Sequence, residues 1–391
     1  MARLGPFAAD RRVVAGVSGG ADSMALAVLL ARWGRPLACV VDHGLRPESA
    51  GEAGLAAAWL GRIGVPATVA AAGLRPGAAM AERAREARYR LLGAECRRVG
   101  CPDLLLAHHA QDQAETVALR EASGSGPLGL AGMGAVSYRD DVRLLRPFLS
   151  LEPGRLRATL RQAGISWIED PSNQNLNFPR ARMRAVFTAG EIARRCGTAE
   201  EHATARTQRE QDIAHELALA ATVFPAGYAH LRQPVSAAAL SALIWTLSGR
   251  AYPPPSRSVA ALAAALHPAS LHGVVLLPAG RQDAGWLLGR EAAAMAPPVP
   301  AWPGARWDGR FTILDAAGEG VTLGPLGPDS ARLRSWSDLP SALLQTLPAL
   351  RTGGELHCVP HLDFPDPALC RSVSLAFGPA RPAAGAPFGP A

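Results

Sequence analysis

One turn constrains this chain more than any other segment. Ser18-Gly19-Gly20-Ala21-Asp22-Ser23 follows an apolar, β-branched run at 13–17 and opens an Ala/Leu-rich helical pattern at 23–33. A strand that passes through paired glycines straight into a helix needs backbone freedom there, and it aims free helical N–H groups at whatever lies beyond, which makes an anion site. Ser18 and Ser23 add hydroxyl donors. Asp22 would repel a phosphate unless a divalent cation bridges the two. Read alone, the segment also suits a plain Gly-rich turn in which Asp22 caps the helix.

The pattern continues around this turn. Strand-like runs at 37–41, 66–70 and 103–107 alternate with helical patterns near 49–63, 79–99 and 110–120. Such alternation predicts a parallel α/β sheet with right-handed crossovers and a ligand site beyond the C-terminal strand ends. A Gly-rich stretch at 123–134 interrupts it. Residues 185–220 then read as helical, Tyr252-Pro253-Pro254-Pro255 punctuates the next segment, and short strand-like pieces recur between Gly/Pro turns. The expected organisation is an N-terminal domain over 1–190, a helical section over 191–265, a mixed α/β domain over 266–378 and a disordered Pro/Ala/Gly-rich tail over 379–391.

Composition removes several chemistries. All 40 cationic side chains are arginine, so the chain holds no lysine. Schiff-base aldolases, pyridoxal-phosphate enzymes, Walker-A phosphate loops and protein kinases all need a lysine amine and are excluded. Phosphate would have to be held by backbone N–H groups and arginine. The net charge is +7, and residues 1–190 carry all of it, with 24 Arg against 17 acids; residues 191–391 balance 16 against 16. That asymmetry suggests a polyanionic partner for the first half. The six cysteines form no Cys-x-x-Cys pair, which argues against a zinc or iron–sulfur site and, at this length, against a disulfide framework. With no signal-like start and no run of 18 apolar residues, the expectation is a cytoplasmic enzyme or nucleic-acid binder that uses no membrane.

A second motif, His108-His109-Ala110-Gln111-Asp112-Gln113-Ala114-Glu115-Thr116, begins at the end of the fourth strand pattern and runs into a helix. Asp112 and Glu115 are three apart and share one face near the helix N-terminus. Two carboxylates there suit an ammonium group, a proton, or simply the helix dipole. Arg83, Arg90 and Arg97 form a solvated row at seven-residue spacing, from which Arg88, beside Tyr89, is offset. Arg180, Arg182 and Arg184 alternate after the turn signature Asp170-Pro171-Ser172-Asn173, and they read as an exposed strand edge or as an ordered arm over the site.

The Ser-Gly-Gly-x-Asp-Ser spelling resembles the signature of the PP-loop ATP pyrophosphatases, which split ATP between the α and β phosphates and adenylate a substrate oxygen. Within that group, the stretch from His108 is similar to the His-His-x-Asp-Asp-Gln-x-Glu-Thr motif of the tRNA(Ile)-lysidine synthases, with Gln111 in place of the first Asp. Val41-Asp42-His43-Gly44-Leu45-Arg46, Ala84-Arg85-Glu86-Ala87-Arg88-Tyr89-Arg90, Gly124-Ser125-Gly126, Arg146-Pro147 and Glu169-Asp170-Pro171 fall in that family's order, and Ser123 stands where the family has Arg. The resemblance is dense over 13–188 and thins beyond.

The resemblance implies a PP-loop N-terminal domain of the adenine nucleotide alpha hydrolase kind, using ATP and Mg²⁺. It implies ligation of free L-lysine to C2 of the cytidine at the first anticodon position of tRNA(Ile) with a CAU anticodon, through an adenylated cytidine, giving lysidine, AMP and pyrophosphate. On this reading Ser18, Gly19, Gly20, Ala21, Asp22, Ser23, Arg88 and His108 bind ATP, with Asp22 on Mg²⁺. Asp112 and Glu115 receive the lysine ammonium and Arg180 its carboxylate. Arg182, Arg184 and the 191–265 section contact tRNA, and Asp22, Arg88, Asp112 and Glu115 form the catalytic set. His109 shares with His108 a candidate role in proton handling or nucleotide contact. Oligomeric state stays open, a homodimer included. Three alternatives compete: a tRNA thiolase, which normally brings Cys-x-x-Cys pairs; a small-molecule ligase fed with ammonia, which leaves the arginine surplus unexplained; and a non-catalytic tRNA-binding module, whose phosphate binding Asp22, Asp112 and Glu115 would weaken.

Overall fold

The computed structural model describes all residues except 2–3, 76, 140–141, 170–178, 281–283, 316–317, 319, 366, 368–369, 371–373 and 380–391. The chain divides into two units, residues 1–208 and 209–387.

In the first unit, β1 (Arg12–Val17) leads through the glycine pair into α1 (Ala21–Trp33), followed by β2 (Arg35–Asp42), α2 (Ser49–Arg62), β3 (Ala67–Ala71), α3 (Met80–Arg98), β4 (Asp103–Leu105) and α4 (Ala110–Ala122). After a short α5 (Pro127–Leu130) come β5 (Val136–Arg139), β6 (Val142–Leu145), α6 (Pro153–Ala163), α7 (Pro179–Val186) and the start of the long α8 (Ala189–Ala220), which continues past residue 208. The strands form one sheet in the order β3-β2-β1-β4-β6-β5. All neighbours run parallel except β5, which returns antiparallel along β6 and closes that edge.

The central position of β1 explains its near-continuous apolar sequence, since both of its faces are buried. Val13, Ala15 and Val17 pack with α1, α2 and α6 through Met24, Leu26, Leu60 and Leu156. Val14 points the other way, into a second core with Tyr89, Leu92 and Cys96 of α3. Leu60 and Leu156 are wholly or almost wholly buried, so truncating either to Ala should cost about 2–5 kcal/mol. The strand order reverses direction between β1 and β4, and a ligand crevice belongs at that point, outside the strand C-termini.

Two expectations change here. Residues 179–186 form the helix α7 rather than an exposed strand edge; Pro179 suits the first helical position, and Ala, Met and Arg at the following positions favour helix over strand. The Asp170 to Asn173 turn lies outside the described residues. In the second unit, β7 (Ala221–Val223), β8 (Tyr228–Leu231), β9 (Ala269–Leu271), β10 (Val274–Pro278) and β11 (Trp286–Arg290) join one antiparallel sheet in the order β7-β8-β11-β10-β9. The expected boundary at 265/266 therefore falls inside a single sheet. Strands of three and four residues are too short to show alternation, which is why 221–231 did not stand out from its helical surroundings. Helices α9 (Ala237–Ser248) and α10 (Ser256–Ala264) cover this sheet, with Leu240, Leu243, Ile244 and Leu247 of α9 against Ala229, Leu231 and Leu288.

Four-stranded and three-stranded antiparallel sheets follow, built from β12 (Val299–Pro300), β13 (Arg306–Trp307), β14 (Phe311–Ile313), β15 (Val321–Pro325), β16 (Pro348–Thr352), β17 (Glu355–Cys358) and β18 (Leu375–Phe377). Trp307, Phe311 and Leu323 form their shared core. Among the described residues, no helix is long and apolar enough to cross a membrane. The expected tail lies outside the described residues apart from Pro379.

Candidate active site

The loop after β1 takes its shape from its glycines and one serine. Gly19 has φ +82°, and a Cβ there would lie 2.5 Å from Ile168 Cδ1. The Ile168 N–H donates to Gly19 O at 2.9 Å, so the loop is strapped to the segment after α6. Gly20 caps α1 in extended geometry with no side-chain cap, leaving first-turn N–H groups available for an anion. Ser23 is buried; its hydroxyl donates to Gly20 O at 3.0 Å and accepts from the Ser18 N–H at 3.1 Å. Its hydroxyl proton is therefore committed to holding the loop, a structural task the sequence reading had not given it.

A cleft of about 790 Å³ opens over the C-terminal ends of β1, β2 and β4. It gathers Ser18, Gly20, Ala21, Asp22 and Ser23 from the loop, Arg88 from α3, and His108 and Asp112 from the second motif. His43, Arg85 and Arg157, absent from the expected site, also line it, as does His109, a sequence candidate for proton handling or nucleotide contact. His43 and Arg85 lie in segments whose spelling already matched the lysidine synthase pattern; Arg157 of α6 has no sequence signal at all.

Tyr89 gathers three arginines, of which Arg85 and Arg88 line the cleft. The Arg85, Arg88 and Arg139 guanidinium carbons lie 5.0, 5.6 and 4.7 Å from its ring centroid, and Arg139 is itself paired with Glu86 at 2.6 Å. Burial of Tyr89 disfavours its phenolate, yet Arg85, Arg88 and Arg146 outweigh burial and lower its pKa. The buried Arg88 Nε has no hydrogen-bond partner among the described residues, a donor that suits an incoming anion. Burial, then the charge of Arg88, pushes His43 below the ordinary imidazole range.

His109 ties the two motifs together. It is buried, with Nε2 at 3.4 Å from Asp22 Oδ2 and 3.6 Å from Asp112 Oδ2, while its backbone N–H donates to Asp112 Oδ2 at 3.0 Å. Burial opposes its cation most strongly, but Asp22 and Asp112 together overcome that and raise its pKa above the ordinary value.

Behind Asp112, Glu115 is fully buried and meets Arg184 of α7. Arg184 Nε donates to Glu115 Oε1 at 2.6 Å, and Nη2 to Asp112 Oδ1 at 3.1 Å. Burial disfavours the guanidinium cation, yet Glu115, then Asp112 and Asp22, hold it more firmly than an ordinary arginine. The two acids thus have an internal cation in Arg184, which the sequence reading had sent to tRNA. Arg182 is exposed on the same helix; the Arg180 side chain lies outside the described residues.

Residues 2–189 match the PP-loop domain family. The tRNA(Ile)-lysidine synthase of Ruegeria pomeroyi is 33% identical over 374 residues, covering 90% of this chain and 88% of that protein. The chain belongs to the tRNA(Ile)-lysidine synthase family. The Rhizobium meliloti lysidine synthase is 34% identical over 82% of this chain and 76% of its own length. The Bradyrhizobium sp. lysidine synthase is 47% identical over 190 residues, a match that spans about half of that relative, 53%.

The PP-loop match implies that this site binds ATP. Among the described residues no group of three or more His, Cys, Asp or Glu side chains could hold a metal. Asp22 offers one partly exposed carboxylate beside the loop, a donor set that fits Mg²⁺ when phosphate oxygens and water supply the remaining ligands.

Proposed function

We propose that the first unit binds ATP in the cleft and ligates free L-lysine to C2 of the cytidine at the first anticodon position of tRNA(Ile) bearing CAU. What carries this reading is the meeting of Asp22, His109 and Asp112 in one basic cleft at the strand-order reversal, together with membership of the lysidine synthase family.

In the first step the cytidine O2 attacks the α-phosphorus of ATP, and pyrophosphate leaves. The loop N–H groups from Gly20 to Ser23 hold the departing pyrophosphate, and Arg88, with Arg85 beside it, faces the negative charge. Asp22 would hold Mg²⁺, which when bound offsets the charge of the phosphates. In the second step the lysine ε-nitrogen attacks C2, and AMP leaves with the O2 oxygen on its phosphate. Asp112 and Glu115 hold the ammonium end, and Arg180 the carboxylate. The attacking amine must be neutral although free lysine has a pKa near 10.4. Asp112 is the first acceptor for its proton, and His109, 3.6 Å behind, extends the path to Asp22. His108 contacts the nucleotide, and Arg182 contacts tRNA.

The test combines purified protein, ATP, Mg²⁺ and labelled lysine with isoleucine tRNA bearing CAU, and methionine tRNA as control. Label should enter only the isoleucine tRNA; none entering, with folded protein, sinks the proposal. Asp22→Asn should abolish AMP release, whereas Glu115→Gln should chiefly raise the lysine concentration needed. The reverse pattern would overturn these roles.

A further inference from the structure

The pocket assigned above to an ammonium already contains a cation. Every oxygen of the carboxylate pair has a partner. Glu115 Oε1 and Oε2 face Arg184 Nε and Nη2 at 2.6 and 3.5 Å, Asp112 Oδ1 faces Arg184 Nη2 at 3.1 Å, and Asp112 Oδ2 accepts the His109 N–H at 3.0 Å. Asp112 and Arg184 line the cleft; Glu115, with a side chain 0% exposed, does not reach its surface. A ligand coming from the cleft therefore meets Glu115 only by way of Arg184. That side chain keeps 34% of its surface exposed, which gives it room to leave.

Resting on the lysine assignment of the proposed function, we infer that Arg184 is a built-in stand-in for the substrate. It fills the Asp112–Glu115 pair while the site is empty, and the ε-ammonium of lysine binds by displacing it. Two arguments favour displacement over simple addition. The Arg184 fork sits between the two acids and Glu115 does not reach the cleft, so an ammonium from the cleft can touch both acids only where the fork now lies. A planar guanidinium spans both acids, whereas an ammonium is a compact point charge that can sit between them once the fork has withdrawn.

The contact then acts on specificity. A tethered competitor presents itself at high effective concentration, so a simple amine with no second anchor cannot dislodge it. Lysine can, because its α-carboxylate and α-amine add binding that the tethered side chain does not oppose. The activated cytidine is thereby kept from adventitious amines. Displacement also breaks the ion pairs between α7 and the acids of α4, coupling lysine occupancy to α7.

Calorimetric titration of the full chain with L-lysine tests this. Arg184→Ala should bind lysine about tenfold more tightly than wild type, since the competitor's share of the apparent affinity is removed. It should also bind methylguanidinium, which wild type does not. Arg184→Lys, which leaves a cation in place without the bidentate fork, should fall between the two. Unchanged or weaker lysine binding by folded Arg184→Ala overturns the inference and makes Arg184 a permanent anchor. If the Ala variant does not fold, the Lys variant decides in the same way. Should wild type and variants all fail to bind lysine while Arg184→Ala gains methylguanidinium, the displaceable guanidinium stands and the lysine assignment falls.

Discussion

Two arginine–carboxylate clusters, one in each unit, carry opposite charge surpluses. In the first unit Asp112 and Glu115 share Arg184; in the second Arg290 and Arg310 share Asp308. The second cluster is sealed. Arg290 also donates to Gly273 O at 2.9 Å and to Ala294 O, Arg310 donates to Gly227 O at 3.0 Å, and Asp308 accepts the Ala296 N–H at 3.0 Å. Its extra positive charge is met by backbone carbonyl dipoles, and burial pushes Arg310 down to about 10 despite Asp308. In the first cluster the extra charge is negative. It faces the cleft, next to His109 and Asp22. Where a surplus charge is satisfied, rather than how deeply the cluster is buried, separates a structural knot from a site that expects a ligand.

The largest test of this contrast is Asp308→Ala. It strands two buried guanidiniums and should cost about 3–5 kcal/mol, measured as a lower urea midpoint for the second unit; a cost below about 1 kcal/mol would break the contrast. Arg184→Ala should cost less, because Arg184 is partly exposed where Arg290 and Arg310 are buried, and water can enter beside Asp112. An effect equal to that of Asp308→Ala would make the first cluster structural as well. The smallest expected effect is a pH dependence. His109 has a folded-state pKa above its ordinary value, so its contribution is complete below about pH 6.5 and is lost as pH rises through the raised value. Urea midpoints of wild type should decline across that window and those of His109→Gln should not; parallel curves would remove His109 from the charged network.

Much of the first unit was legible because its strands are short apolar runs between long helical periods, and because the Ser18 to Ser23 and His108 to Thr116 motifs sit where a strand ends and a helix begins. The residues brought to the cleft by those motifs were legible for the same reason. Arg184 was not, since its partners lie far back in the chain and alternation of Arg180, Arg182 and Arg184 suits a strand as well as a helix. Ser23 was read as a ligand donor because a hydroxyl near phosphate and a hydroxyl bracing a loop have the same spelling. Arg157 could not be found at all: an exposed arginine on an amphipathic helix looks alike whether it faces solvent or a cleft. In the second unit, β7 and β8 were hidden by their brevity, and the fold of that unit rests on sheet pairings that no local pattern encodes.

The pairing of β1 with β4, Val14 with Leu104 and Ala15 with Leu105, has one more consequence. Asp22 and Asp112 reach the same imidazole only when these two strands are adjacent, so the unfolded chain contains no partial version of the site. Any ligand that fills it binds the folded unit alone and raises that unit's stability by mass action, by about 2.7 kcal/mol at a hundredfold excess over its dissociation constant. The melting temperature of the first unit is thus a direct gauge of occupancy, readable without tRNA or turnover.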